Sequence, residues 1–251
     1  MPIIQSVQRA LMILNLFDED NPEMKITDIA ARLDLHKSTL HSLLKTLQIE
    51  GYIDQNHENG RYRLGMKLVE RGTFVISSLD LRKRAGPALA ALSQTTGETV
   101  HLGVLEGKNG VYIDKVDGSR ALIGYSRIGR SLPIHCTAIG KVLLAFRPTT
   151  EVRHLLEGYD FTAFTERTIT APEPFIAALN TVRAEGVAMD DEEHSRGVRC
   201  MAAPVFDHDK KVVAAVSIST LTSVTDSGAF ASLIAPLKQT SSAISLALGN
   251  R

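Results

Sequence analysis

Apolar residues recur at helical spacing from the start of the chain: Val7, Ala10, Leu11, Leu14 and Phe17 share one face of a helix that Ser6 can cap and that Asn21-Pro22 brings to an end. The same period returns twice in quick succession. Thr27 can cap a short helix running to Leu33, Asp34-Leu35 turns the chain, and a third helix from Lys37 to about Glu50 sets Leu40, Leu43, Leu44 and Leu47 on one side. Gly51 stops that helix. Tyr52-Ile53-Asp54-Gln55 and Arg61-Tyr62-Arg63-Leu64 then predict a hairpin closed by Asn56-His57-Glu58-Asn59-Gly60, with the Asn-Gly pair supplying the positive φ. Three helices followed by a two-stranded wing are the order of a winged helix-turn-helix.

Downstream, no proline interrupts residues 65 to 78, and Met66, Val69, Phe74 and Ile76 give this stretch an apolar side, so it reads as a linker helix. A helix at about Leu81 to Thr95 comes next. Thr99 to Leu105 and Val111 to Val116 flank a Gly107-Lys108-Asn109-Gly110 turn, and a third strand is predicted at Ala121 to Ser126. Helices at about Ala138 to Phe146, Glu151 to Leu156 and Pro174 to Glu185 precede strands at Cys200 to Phe206 and Val212 to Thr220, and a helix over Gly228 to Leu248 closes the chain. Strands, then helices, then strands indicate an α+β domain on an antiparallel sheet. The expected division is 1–64 for the winged helix, 65–80 for the linker helix and 81–251 for the second domain.

Composition narrows the class. The 251 residues are 44% hydrophobic, enough for a substantial core, and no apolar run approaches the ~20 residues of a membrane span. The first residues, Met1-Pro2-Ile3-Ile4-Gln5-Ser6, lack the basic start and apolar core of a secretory signal, so a soluble cytoplasmic protein is expected. Two distant cysteines, Cys136 and Cys200, indicate neither a disulfide framework nor a cysteine-based zinc site. The formal net charge is zero, so any affinity for nucleic acid must come from local placement.

That placement exists in the third helix. With its leucines turned inward, Lys37, Ser38, Thr39, His41, Ser42 and Lys45 point outward, and no carboxylate occurs from Lys37 to Gln48, which suits insertion into an anionic groove. Arg61 and Arg63 on the wing can grip the phosphate backbone beside it.

In the second domain, catalytic chemistry is poorly supported. His135-Cys136-Thr137 holds the residue types of a Cys-His hydrolase, but no nucleophile signature flanks Cys136. A zinc set of Cys200, His194 and Asp190 lacks compact spacing, and Gly129 and Gly140 lack the strand-to-helix pattern of a nucleotide loop, so no catalytic residue, metal or cofactor is assigned. A binding pocket fits better. Ala138 and Ile139 present backbone amides at a helix start, where an anion is favoured, and Ser217 and Ser219 alternate with Val216 and Ile218 so that both hydroxyls share one face of a strand.

The residues Ile26-Thr27-Asp28-Ile29-Ala30, Leu35 to Leu47, Gly51-Tyr52-Ile53, Tyr62-Arg63-Leu64-Gly65, Leu132 to Ala145, Asp190-Asp191-Glu192-Glu193 and Gly197-Val198-Arg199-Cys200 together resemble the IclR-type transcriptional regulators across nearly the whole chain. One departure is His36, where the family often has proline. The resemblance implies a GAF-like sensing domain, a linker helix that dimerises, a homodimer on double-stranded operator DNA that can pair into a tetramer, and effector contacts at Ala138, Ile139, Asp190, Cys200, Ser217 and Ser219. Tyr125-Ser126-Arg127-Ile128-Gly129-Arg130 and Thr165-Glu166-Arg167-Thr168-Ile169 look most like regulators of sugar-acid catabolism, so the expected ligand is a small carboxylate and the expected action repression. Tyr125 is a further effector candidate and keeps an aromatic acid open. The alternative is a metal-binding or enzymatic domain tethered to DNA.

Overall fold

Two separate sets of apolar side chains draw the chain into two compact units, Met1–Ser78 and Leu79–Arg251. The computed structural model describes residues 3–78, 80–120, 124 and 126–250, with the side chains of 75–78 and 80 left aside. The expectations for Tyr125, for the Ile76 side chain and for most of a strand at 121–126 therefore lie outside the described residues.

In the first unit, helices α1 (Gln5–Leu14), α2 (Ile26–Leu33) and α3 (Lys37–Ile49) enclose Ile13, Ile29, Leu40 and Leu44, all fully buried. The inner face of α1 is centred on Ala10, Ile13 and Leu14, while Val7 and Leu11 are more than half exposed. Two expected caps are corrected. Ser6 lies inside α1, which starts after Ile4, and Thr27 lies inside α2, where the Lys25 carbonyl already accepts from Asp28 and Ile29. The turn into α3 is as expected: Asp34 adopts φ 50, and the Leu35 amide returns to the Ala30 carbonyl at 3.1 Å. His36 precedes α3 at φ −62, the value a proline ring would fix.

Strands β1 (Ile53–Gln55) and β2 (Tyr62–Leu64) form the wing, with Asp54 opposite Arg63. Gly60 alone takes the positive φ, 68°, whereas Asn59 acts through its side chain, which accepts from the Arg61 amide at 2.8 Å. Helix α4 (Met66–Ser78) completes this unit.

The second unit opens with α5 (Asp80–Thr96) and builds a six-stranded antiparallel sheet from β3 (Thr99–Glu106), β4 (Asn109–Val116), β5 (Ser131–Leu132), β6 (Ala188–Asp191), β7 (Val198–Phe206) and β8 (Val212–Leu221), in the order β5-β4-β3-β8-β7-β6. Helices α6 (Ala138–Ala145), α7 (Thr149–Leu156) and α8 (Pro172–Glu185) lie between β5 and β6 in sequence, and α9 (Ser227–Ser232) and α10 (Ile234–Ala247) end the chain. The closing helix is thus two helices. Asp226 caps the first through the Ala229 amide, and Pro236 fits only the first turn of the second because it has no N–H to donate. β5 and β6 were not anticipated, being too short, at two and four residues, to show alternation.

Alternation along the strands sorts the two faces. Val216, Ile218, Met201, Ala203 and Val205 pack with α5 and α10, while Ala202 and Ala215 turn to α6 and α8. Small residues on that second face let α6 lie close. A Cβ on Gly103 would stand 2.8 Å from Ile139, and one on Gly140 would stand 2.3 Å from the Ile134 Cα. Gly140 is therefore a packing glycine.

Candidate functional site

Thr137 sets the start of α6. Its hydroxyl accepts from the Gly140 amide at 3.2 Å and donates to the Pro133 carbonyl at 2.6 Å, leaving Ala138 and Ile139 in the first helical turn, where amides have no intrahelical partner. All eight residues of α6 are buried. The helix start thus faces the sheet away from solvent.

Opposite it, three strands place polar side chains in one row. Asp190 at the end of β6 pairs with Cys200 on β7, and Cys200 with Ser219 on β8. Ser217 pairs with His101 on β3. Asp190, Cys200, Ser217 and Ser219 line one cavity together with Ala138 and Ile139. Six of the seven residues expected to bind an effector are therefore side by side, and Tyr125, the seventh, lies outside the described residues. Sequence reasoning missed Tyr112, Thr137 and His194 as lining residues. Thr137 was legible as the residue before the helix; Tyr112 and His194 become wall residues only through the strand order and the fold of the 192–197 loop.

The cavity holds about 10 Å³ of free space, the size of a single water probe. Inside it, the Asp190 carboxylate accepts from the amides of Glu193 (2.8 Å) and His194 (3.3 Å), yet burial outweighs these bonds and raises its pKa to about 7. Cys200 Sγ lies 3.1 Å from Ser219 Oγ, and burial pushes its thiol far up, so it is not an activated nucleophile. Ser219 Oγ lies 3.5 Å from His101 Nδ1, and His101 Nε2 lies 2.7 Å from Ser126 Oγ. Burial, with Lys115 nearby, holds His101 neutral by lowering its pKa to about 3. The Ser217 hydroxyl has no protein partner among the described residues. One turn along α6, the buried Lys141 ammonium donates to the Met189 carbonyl at 2.8 Å and to the Glu193 carboxylate.

His135 and Cys136 do not form a catalytic pair. Both ring nitrogens of His135 are taken, by the Tyr159 hydroxyl and the Thr162 carbonyl at 3.0 Å each, and burial pushes the Cys136 thiol up.

On the first unit, Lys37, Ser38, Thr39, His41, Ser42 and Lys45 are all exposed along α3. Ser42 Oγ donates back to the Ser38 carbonyl at 3.2 Å. Arg61 and Arg63 are exposed on the wing, but Arg63 is engaged: its Nε and Nη2 both donate to Asp54 Oδ2, at 3.0 and 2.7 Å. That contact holds the Asp54 carboxyl below its ordinary range.

A winged helix with an uncharged-to-cationic recognition helix, and a separate α+β domain enclosing a polar cavity, define a DNA-binding regulator that carries an effector-binding domain. The chain belongs to the IclR family: the IclR helix-turn-helix domain matches residues 6–57, and the bacterial transcriptional regulator IclR C-terminal domain matches residues 73–246. It is 57% identical over 249 residues to the HTH-type transcriptional regulator XynR of Escherichia coli K12, covering 99% of each chain. It is 42% identical over 216 residues to the HTH-type transcriptional regulator KdgR of the same organism, covering 86% of this chain and 82% of that one. A transcriptional regulator from Rhodococcus sp. RHA1 superposes with a TM-score of 0.85 at 35% identity, over 98% of both chains. The protein is a ligand-responsive transcriptional regulator and not an enzyme. Among the described residues no helix is long and apolar enough to cross a membrane.

Proposed function

We propose that this regulator represses a catabolic operon and releases its operator when a small polyhydroxylated carboxylate, an aldonate or keto-deoxy sugar acid, binds in the cavity at the start of α6. The observation that carries the reading is the convergence, on one enclosed space, of two helix-start amides suited to a carboxylate with Asp190, Ser217 and Ser219, suited to hydroxyl groups. The space is far smaller than a ligand pocket, so binding requires the walls to part. That requirement is what couples occupancy to shape, because only a ligand with unequal affinity for two arrangements shifts their balance.

DNA contact falls to Lys37, Ser38, Thr39, His41, Ser42 and Lys45 in the major groove and to Arg61 and Arg63 on phosphates. Residues 1–64 form the reading head, 65–80 the dimerising linker and 81–251 the sensing domain. The active form is a homodimer on a near-palindromic operator in the cytoplasm, since one winged helix reads too few base pairs to find a site in a genome. Calorimetry of the full chain against sugar acids and aromatic acids tests the ligand class. Heat from an aldonate supports it, and heat from an aromatic acid alone overturns it.

A further inference from the structure

An open recess on the same domain shares no lining residue with the enclosed cavity but lies against its wall. The recess, about 330 Å³, is bounded by Lys108 at the hairpin tip, by Pro133 and His135 ahead of α6, and by Tyr159, Thr162 and Phe164 in the loop between α7 and α8. Two contacts cross the wall. The Phe164 ring lies 5.2 Å from the ring of His194, which lines the cavity, and the Pro133 carbonyl accepts from the hydroxyl of Thr137, which also lines it.

The two sides of this wall differ in freedom. His135 is held by both ring nitrogens. The backbone around Phe164 is held as well: Thr168 Oγ1 accepts from the Phe164 amide at 3.0 Å and donates to the Glu193 carbonyl at 2.6 Å, and Thr165 Oγ1 donates to the Glu192 carbonyl at 2.7 Å. These bonds fasten the 164–168 turn to the loop that follows Asp190. The Phe164 side chain itself is 45% exposed and touches His135 and His194 only through its ring. Turning it outward breaks no hydrogen bond, and exposed rotamer changes of this kind are fast.

We propose that Phe164 is the gate of the effector cavity: its ring closes the wall between the recess and the cavity, and its rotation toward solvent admits the ligand past His194. The gate rests on the effector reading above, and its test is separable from that reading. Cys200 lines the cavity and reports access to it, while Cys136, fully buried and lining neither space, reports opening of the whole domain.

The experiment treats the full chain with methyl methanethiosulfonate and follows each cysteine by peptide mass spectrometry. Phe164→Ala is expected to speed modification of Cys200 about tenfold or more while leaving Cys136 unchanged, because modification tracks the population of the open form. Phe164→Trp is expected to slow it. Unchanged Cys200 rates in both variants, or Cys136 accelerating in step with Cys200, would overturn the gate. Protection of Cys200 by five- and six-carbon aldonates in the unmodified sequence tests the effector reading by itself.

Discussion

Asp54 and Arg63 face each other across the wing, and the guanidinium closes on the carboxylate at 2.7 Å. An arginine assigned to phosphate is thus held by an acid before DNA arrives. Both groups are exposed, so the pair is weak and readily exchanged. Asp54→Asn removes the nearer of two carboxylates facing Arg63, leaving Glu23 Oε1 at 3.9 Å from its Nη1, and takes a negative charge from beside the duplex. Operator affinity at low salt is expected to rise about threefold for specific and non-specific DNA alike. Salt-titrated anisotropy measures it, and unchanged affinity would remove Arg63 from the phosphate contacts.

The recognition helix is expected to separate from the wing in its signature. Ser42→Ala or Lys45→Ala costs about tenfold to a hundredfold at one base pair of the operator, whereas Arg61→Ala weakens every sequence and lowers the salt slope by about one. Footprints and affinities on operators varied one base pair at a time distinguish the two. If the Ser42 and Lys45 variants lose affinity uniformly, neither reads a base.

Thr137 fixes the start of α6, on which the proposed carboxylate site depends. Thr137→Ala removes the bonds to the Gly140 amide and the Pro133 carbonyl and is expected to cost about 1 kcal/mol of stability, while Thr137→Ser retains both. Urea unfolding of the two variants decides it, and equal losses would mean that the methyl group, not the cap, matters.

Much of this was legible in the sequence because it follows from period and punctuation. The three helices and the wing follow from leucine spacing and from Gly51 and Gly60, and Cys200, Ser217 and Ser219, which line the cavity, sit on strands whose alternation is plain. Tertiary pairing was not legible. The β6 strand is four residues ending in Asp190-Asp191, and only its ladder with β7 shows why Asp190 is buried. The salt bridge on Arg63 and the approach of Phe164 to His194 likewise arise between segments far apart in sequence or on opposite strands. The caps at Ser6 and Thr27 failed because the chain was already helical one residue earlier, at Gln5 and Ile26.

Asp190 makes the second domain sensitive to pH. Its carboxyl has an ordinary pKa of 3.8 and ionises near 7 in the folded domain, so between those values the folded state keeps a proton that the unfolded state has lost. The stability it contributes is full at low pH, falls as pH climbs, and is gone above about 7. His101, His135 and His194, each held below 6.5, act in the opposite sense and lose stability as pH drops. Asp190→Asn isolates the first contribution: its stability relative to the unmodified protein is expected to improve from pH 5 to about pH 7 and to level off above that. A difference that stays constant over that range would mean that Asp190 is ionised throughout.

The central claim is that a sugar acid in the α6 cavity controls DNA binding, and the most direct test is operator affinity measured by anisotropy with and without five- and six-carbon aldonates. The unmodified protein is expected to lose about tenfold or more in affinity when the right acid is added, and the Ser217→Ala, Ser219→Ala double variant is expected to bind the operator normally and ignore the acid. A double variant that responds as fully as the unmodified protein, or a protein that responds only to an aromatic acid, would contradict it.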